Sequence, residues 1–246
     1  MYKNNILIYA HRGASGYEIE NTMSAFDKAM KLGANGIEID LQLTRDNVLV
    51  VFHDLNLSRL AGLNKLISDC TFDELSKVKI GKRFIRKFTN HHIPSFNNVV
   101  VWANEHQIPL NVELKESVLT NTDILIDELQ RLSLPKGSHF SSFHEDLMRI
   151  VKMQRPDIET AFIVTKKFNW EQLKTMSYID TIHAHKRFYK PSYLNYVKEA
   201  NKKMRFYSII GSETFLVNPD PSVIGWITDY PDRVLKIQKE KRDSKK

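Results

Sequence analysis

The chain has 246 residues, of which 42% are hydrophobic and 26% charged. That composition can bury a substantial core and excludes a disordered or fibrous chain. The formal charge of +7 favours anionic partners in general, but no basic run carries aromatics in a nucleic-acid recognition pattern, so nucleic acid is not an expected partner.

The single cysteine, Cys70, excludes an internal disulfide framework and fits a reducing compartment, so a cytoplasmic location is expected. The opening MYKNNILIYAHRG is too poor in apolar residues for a signal-peptide core. No stretch approaches a membrane span, so stable membrane insertion is not expected.

In chain order, β-rich runs at 6–10, 36–43, 48–52, 110–114, 139–143, 160–164, 179–183, 205–210 and 224–228 alternate with amphipathic segments. In NTMSAFDKAMKLGAN, Asn21 or Thr22 can cap a helix, Met23, Phe26 and Met30 supply its apolar stripe, and Gly33 ends it. Further helices are expected at 95–106, 122–132, 145–154, 170–176 and 191–200. Repeated β-then-α units over about 250 residues indicate a parallel sheet closed as a (β/α)₈ TIM barrel. No repeat, low-complexity tract or linker divides the chain, so residues 1–246 read as one domain, ending in a basic tail at 236–246 expected to be a frayed helix end.

One strand is surplus to eight, and it is informative. In GIEIDLQLT, residues 36–44, Ile37, Ile39, Leu41 and Leu43 alternate with Glu38, Asp40, Gln42 and Thr44, so the polar set occupies one face. The following TRDN is too short for a crossover, so the run at 48–52 should return as an antiparallel hairpin. A turn centred on Arg45–Asp46 places His53 opposite Glu38. A turn centred on Asp46–Asn47 places it opposite Asp40. Either way the hairpin brings an imidazole back to the carboxylates.

Charge also gathers at other strand ends, where barrels of this type place their chemistry. The first strand runs into His11 and Arg12. NVELKE puts Asn111, Glu113 and Lys115 on one face and Val112 and Leu114 on the other. Each pattern alone has an ordinary reading as a solvated or salt-bridged group; in barrel order they form a constellation. Glu38, Asp40 and Glu113 converging in a barrel mouth repel one another unless neutralised. Arg12 and Lys115 contribute, and a divalent cation does so better. All-oxygen ligation selects Mg²⁺ or Ca²⁺ over zinc. The cation, guanidinium and ammonium can bind a phosphate and stabilise charge building on it, while His11 and His53 can act as acid and base near neutral pH.

These residues make the sequence similar to the glycerophosphodiester phosphodiesterase family. AHRGASGYEIENT resembles that family's His-Arg-Gly … Glu-Asn-Thr signature, and EIDLQLTRDNVLVVFHD its E-x-D … T-x-D … V-x-x-H-D signature. NVELK, SSF at 141–143 and GWITDYP resemble its later motifs, so the likeness spans essentially the whole chain.

The resemblance implies a barrel with a small insertion at 55–93. It makes Glu38, Asp40 and Glu113 ligands of one Mg²⁺ or Ca²⁺, His11 and His53 the acid–base pair, and Arg12 and Lys115 the phosphate-holding groups. It implies a small-molecule phosphodiester substrate, such as glycerophosphocholine or glycerophosphoethanolamine, cleaved to sn-glycerol 3-phosphate and an alcohol, with the glycerol 2-hydroxyl as internal nucleophile. Lysophospholipase D-type cleavage and a non-catalytic phosphate-binding barrel are the alternatives; the intact histidine pair argues against the second.

The C-terminal third departs from the family pattern. Where many relatives carry Trp-Thr-x-Asn, RFYSIIGS offers Tyr207 at the tryptophan, a candidate pocket wall or a plain core tyrosine, and Ile210 or Gly211 near the asparagine. His183 and His185 end a strand on the same barrel face and are candidates for a leaving-group contact. His91 and His92 lack partners at metal spacing and read as loop, and Cys70 reads as packing. Phe84 and Phe88, in KRFIRKFTN, are candidates for an apolar lip beside basic residues or for a cover over the barrel rim.

Overall fold

The computed structural model describes residues 6–243. The first five residues of the N-terminal segment and the end of the basic tail, 244–246, lie outside the described residues. Among those described, the strands are β1 (Leu7–His11), β2 (Gly36–Leu43), β3 (Leu49–Val51), β4 (Leu110–Leu114), β5 (His139–Ser142), β6 (Glu159–Ile163), β7 (Thr181–His185), β8 (Lys203–Ile209) and β9 (Val223–Thr228). The sheet runs β1-β9-β8-β7-β6-β5-β4-β2 and closes by β1 pairing with β2, all parallel. This is the (β/α)₈ barrel that the alternation of elements predicts. The surplus strand β3 is antiparallel to β2.

Helices α1 (Met23–Lys31), α2 (Ser58–Ala61), α3 (Phe72–Ser76), α4 (Phe96–His106), α5 (Thr122–Arg131), α6 (Glu145–Gln154), α7 (Pro191–Glu199) and α8 (Pro231–Asp243) complete the framework. The helix expected at 170–176 is instead a 3₁₀ turn, Trp170–Lys174, that buries Trp170 and Leu173. The expected frayed tail is helical as far as Asp243. No helix among the described residues is long and apolar enough to cross a membrane.

Two cores follow from the patterning. Ile37, Ile39 and Leu41 of β2 join Phe26 and Ala29 of α1 and Val99, Trp102 and Ala103 of α4 in the main buried cluster; each fully buried Leu or Ile contributes about 1.5–3 kcal/mol. The 55–93 segment packs a second cluster, with Leu57, Leu60, Ile67, Cys70, Leu75 and Ile80 against Val50 and Phe52 of the hairpin. Cys70 is thus a packing residue, as its context suggests.

The polar face of β2 is not in water: all eight of its residues are buried, because the strand is central and its second face looks into the barrel. The barrel floor is unusually polar too. Arg205 is buried there, paired with Glu159 and with its guanidinium 3.2 Å from Thr181 Oγ1, where bulky aliphatics ordinarily fill a barrel.

The hairpin register differs from both expected turns. Leu43 faces Leu49, Gln42 faces Val50 and Leu41 faces Val51, so the loop has three residues, Arg45, Asp46 and Asn47, rather than two. Asn47 is left-handed (φ 60°) and donates its N–H to Thr44 O, the usual closure of a three-residue hairpin. The Thr44 hydroxyl donates to Asp46 Oδ1 at 2.6 Å, which stabilises that longer loop. Continued as a strand, this register would turn His53 away from Glu38 and Asp40. The chain prevents this by leaving the ladder: Phe52 N–H makes a last bond to Asp40 O, and a bend at His53 re-aims the side chain. Gln42 fixes the bend by donating to Phe52 O at 2.8 Å and Asp54 O at 2.7 Å.

Candidate active site

The site begins where β1 ends. Arg12 has left-handed backbone (φ 55°), a conformation costing a non-glycine residue on the order of 1–3 kcal/mol and held only where surroundings demand it. Here its N–H donates to Glu38 Oε2 at 2.8 Å, and its carbonyl accepts Asn21 N–H at 2.9 Å. Gly13 follows with φ 80°, and a Cβ there would fall 2.7 Å from Ala25 Cβ, so α1 can approach the strand end only against glycine. Of the two candidate caps, Thr22 caps α1 by accepting from Ala25 N–H. Asn21 instead donates from Nδ2 to Asp40 Oδ2 at 2.8 Å.

Glu38, Asp40 and Glu113 converge as the spacing predicts, each offering a carboxylate oxygen within 4.8 Å of the others. Arg12 Nε lies 3.1 Å and Lys115 Nζ 2.7 Å from Asp40, and Lys115 also bonds Glu113. Burial alone would raise the Asp40 pKa, but Lys115, Arg12 and His53 together hold it well below the usual carboxylate range. Glu38 goes the other way: burial and the neighbouring Asp40 charge raise it. Burial disfavours the Lys115 ammonium, yet Asp40 and Glu113 outweigh that and raise its pKa. Buried Glu38 Oε1 has no hydrogen-bond partner. Three clustered carboxylates, one with an orphaned oxygen, form the all-oxygen donor set that a hard divalent cation takes, so these residues fit Mg²⁺ or Ca²⁺.

Both histidines stand beside this cluster, and each is oriented by an aspartate. His11 Nδ1 lies 2.7 Å from Asp229 Oδ1, and His53 Nδ1 2.8 Å from Asp54 Oδ1. A carboxylate can only accept, so Nδ1 carries the proton in each ring and Nε2 is left for chemistry. His11 Nε2 is 4.0 Å from Glu38 Oε2. Partial burial disfavours the His11 imidazolium, but Glu38 and the Asp229 hydrogen bond outweigh it and raise its pKa.

Arg59 of α2 grips both Asp54 (Nε to Oδ2, 2.6 Å) and Glu20, and Glu20 in turn accepts from Arg12 at 2.8 Å. The insertion is therefore tied to both histidine-bearing loops. Asp229, Glu20 and Arg59 are residues to which the sequence assigns no role, Asn21 has there only that of a candidate helix cap, and Asp54 none beyond its place beside His53. For Asp229 a signal existed: in a closed barrel the last strand pairs with the first, which brings the TD at the end of β9 beside His11.

Two joined cavities open here. The inner one, about 260 Å³, is lined by His11, Arg12, Glu38, His53, Glu113 and Lys115 on one side and by Ile163, His183, Tyr207, Ser208 and Ile227 on the other. Tyr207 is thus at the wall, its ring edge-on to His185. Neighbouring residues of a regular strand point to opposite faces, yet Tyr207 and Ser208 both line the cavity. The β8–β9 register breaks between Phe206 and Ile209, and Ser208 is left-handed (φ 62°), as in a bulge. His183 is buried, which lowers its pKa well below the usual value and keeps it neutral. The outer cavity, about 740 Å³, shares His53, Glu113, Lys115 and Phe143 and extends past Leu55, Asn56, Arg59 and Glu116. Ile210 and Gly211 do not line either cavity, and His91 and His92 are away from them, in the insertion.

Residues 11–233 match the model of the Glycerophosphoryl diester phosphodiesterase family. A glycerophosphodiester phosphodiesterase of Bacillus altitudinis is 30% identical over 95% of this chain and 98% of its own length. A lysophospholipase D of Mus musculus is 30% identical over 66% of this chain and 51% of its own. Among solved structures, a phosphodiesterase of Oleispira antarctica in complex with the product sn-glycerol-3-phosphate superposes with a TM-score of 0.80 at 24% identity, covering 95% of this chain and 96% of that one. The chain belongs to the glycerophosphoryl diester phosphodiesterase family, and is by class a phosphoric diester hydrolase.

Proposed function

We propose that the chain hydrolyses glycerophosphodiesters with short polar alcohols, such as glycerophosphocholine and glycerophosphoethanolamine, to sn-glycerol 3-phosphate and the alcohol. The observation that carries this reading is the pair of aspartate-oriented imidazoles flanking a carboxylate triad with two fixed cations. Glu38, Asp40 and Glu113 would hold one Mg²⁺ or Ca²⁺, which when bound neutralises the phosphate and acidifies a hydroxyl.

This chain's own groups account for the rest. Arg12 and Lys115 face the inner cavity and hold the phosphate. The glycerol 2-hydroxyl, kept near phosphorus, attacks it, which makes the step unimolecular. One imidazole Nε2 takes the hydroxyl proton, and the other donates a proton to the departing alcohol oxygen as the P–O bond breaks. Water then opens the cyclic phosphate with the two roles exchanged, leaving sn-glycerol 3-phosphate. The Oleispira antarctica relative's bound product supports this substrate class.

A second reading, lysophospholipid cleavage, is favoured by the lysophospholipase D relative and by the open outer cavity with Leu55 and Phe143 on its wall. The charged groups on that wall, Asp54, Arg59, Glu113, Lys115 and Glu116, favour the short polar alcohol.

The test is turnover of a substrate panel, from glycerophosphocholine to lysophosphatidylcholine, with Mg²⁺, with Ca²⁺ and with EDTA. We expect hydrolysis of the glycerophosphodiesters that requires the added ion. Full turnover in EDTA would remove the metal, and hydrolysis of lysolipids alone would replace the substrate.

A further inference from the structure

We propose that the tip of the 55–93 insertion is a peripheral docking surface for anionic lipid bilayers. Phe84 and Phe88 cover nothing: they are 83% and 89% exposed, which removes the rim-cover reading. Both sit in the 3₁₀ turn Arg83–Phe88. Arg86 of that turn donates to Leu60 O at 3.5 Å, and a Cβ on Gly62 would fall 2.4 Å from its Nη1. The loop after α2 is therefore pressed against the turn at Gly62, and Leu63 and Leu66 of that loop are each 42% exposed. Isolated exposed apolar side chains are ordinary, but four on two abutting segments are not.

The charges at this tip are of one sign. Lys65, Lys82, Arg83, Arg86 and Lys87 belong to the same two segments, and among the described residues none has a carboxylate oxygen within the 4.0 Å of an ion pair. Elsewhere in the insertion, Arg59 is paired with Glu20 and Asp54, and Lys77 with Asp73. The acids that line a cavity with Lys82 and Arg83 are Glu18 and Glu20, and Glu20 is already held by Arg12 and Arg59; Asp69 and Glu74 lie on the Lys65 side.

Bare phenyl and isobutyl groups ringed by unpaired cations match the boundary of an anionic bilayer, with acyl chains below and phosphates above. A single-stranded nucleic acid would use the rings and cations but has no use for the leucines. The surface goes beyond the proposed activity and does not rest on it; α2, whose Leu60 carbonyl accepts from Arg86 of the turn, also gives Arg59 to Asp54, the partner of His53.

The experiment is co-sedimentation of the full chain with vesicles of phosphatidylcholine alone, or mixed with phosphatidylglycerol, at low and high salt. Wild type should bind the mixed vesicles, more weakly at high salt, and leave the neutral ones. Phe84→Ser with Phe88→Ser should lower partitioning about tenfold or more. Each of Lys82→Gln, Arg83→Gln and Lys87→Gln should lower it about fivefold. All these variants should hydrolyse soluble glycerophosphocholine as wild type does, so a failure of docking is separable from a failure of the proposed activity. Absence of wild-type binding, equal binding to neutral vesicles, or binding indifferent to the phenylalanines would overturn the proposal. So would retention of single-stranded DNA without vesicle binding.

Discussion

The two halves of the barrel mouth differ in kind. From β1 through β2 and the β3 return to β4, the inner cavity is lined by imidazoles, carboxylates, a guanidinium and an ammonium. From β6 through β9 the lining is Ile163, neutral His183, Tyr207, Ser208 and Ile227. Charged groups are neutralised cheaply only by close partners, so they concentrate in one sector where each is another's counter-charge. The opposite sector carries no such constraint and is free to set shape. Under the proposed function, the first sector would carry the proton and phosphate chemistry and the second the discrimination among substrates.

The strongest attempt to break that division is to disable the charged sector. Glu38→Gln should bring activity to background at every ion concentration, as EDTA should for wild type, with recovery of wild type on adding Mg²⁺ or Ca²⁺. Asp40→Asn should also lose stability, by about 3 kcal/mol in urea unfolding, because it removes the carboxylate between the Arg12 and Lys115 cations. Activity retained in Glu38→Gln would remove Glu38 from the ion site.

Next in size are the histidines. His11→Ala and His53→Ala should each lower kcat about 10²-fold or more and leave KM for glycerophosphocholine near the wild-type value. An effect confined to KM would take either residue out of the chemical step. Their aspartates should matter less and in the same sense. Asp229→Asn and Asp54→Asn keep the shape, but the amide can donate to Nδ1 and so place the ring proton on Nε2, the wrong tautomer for a base. A fall in kcat of about 10–100-fold is expected, by the scale of outer-shell partners of ligating groups. A Asp54→Glu variant that restores part of the rate would confirm orientation as the role.

How much of this was legible follows the same division. The strand sector with alternating charge, GIEIDLQLT and NVELK, announced its buried polar face because only period-two alternation puts Glu38 with Asp40, and Glu113 with Lys115, on one side. The barrel followed from the β-then-α alternation. The hairpin register did not follow, because Thr44 and Asn47 choose a three-residue loop that a count of turn-forming residues does not distinguish from a two-residue one. The hairpin pattern predicts the return of His53 for a reason that fails in detail: a bend fixed by Gln42 delivers it, not the ladder. Asp229 and Arg59 act across 218 and 39 positions, to His11 and Glu20, and nothing local in either segment names its partner. The uncharged sector left the weakest trace, since Tyr207 and Ser208 share a cavity only through a backbone bulge.

That uncharged sector supplies the smallest and most selective test. Tyr207 lines the inner cavity across from the carboxylates and packs its ring edge-on to His185 at 5.4 Å. If this half of the mouth sets shape, Tyr207→Ala should raise KM several-fold for glycerophosphocholine and less for a smaller head group, with kcat within about threefold of wild type, since a lost wall contact costs about 1–3 kcal/mol of binding. Tyr207→Phe keeps the ring and its packing and should be close to wild type for both substrates. The ratio of kcat/KM between two head groups, measured for both variants, reads the effect directly. An equal drop in kcat for both substrates in Tyr207→Phe would mean that the phenol itself enters the reaction, and the boundary between the two sectors would then have to be drawn on the far side of β8.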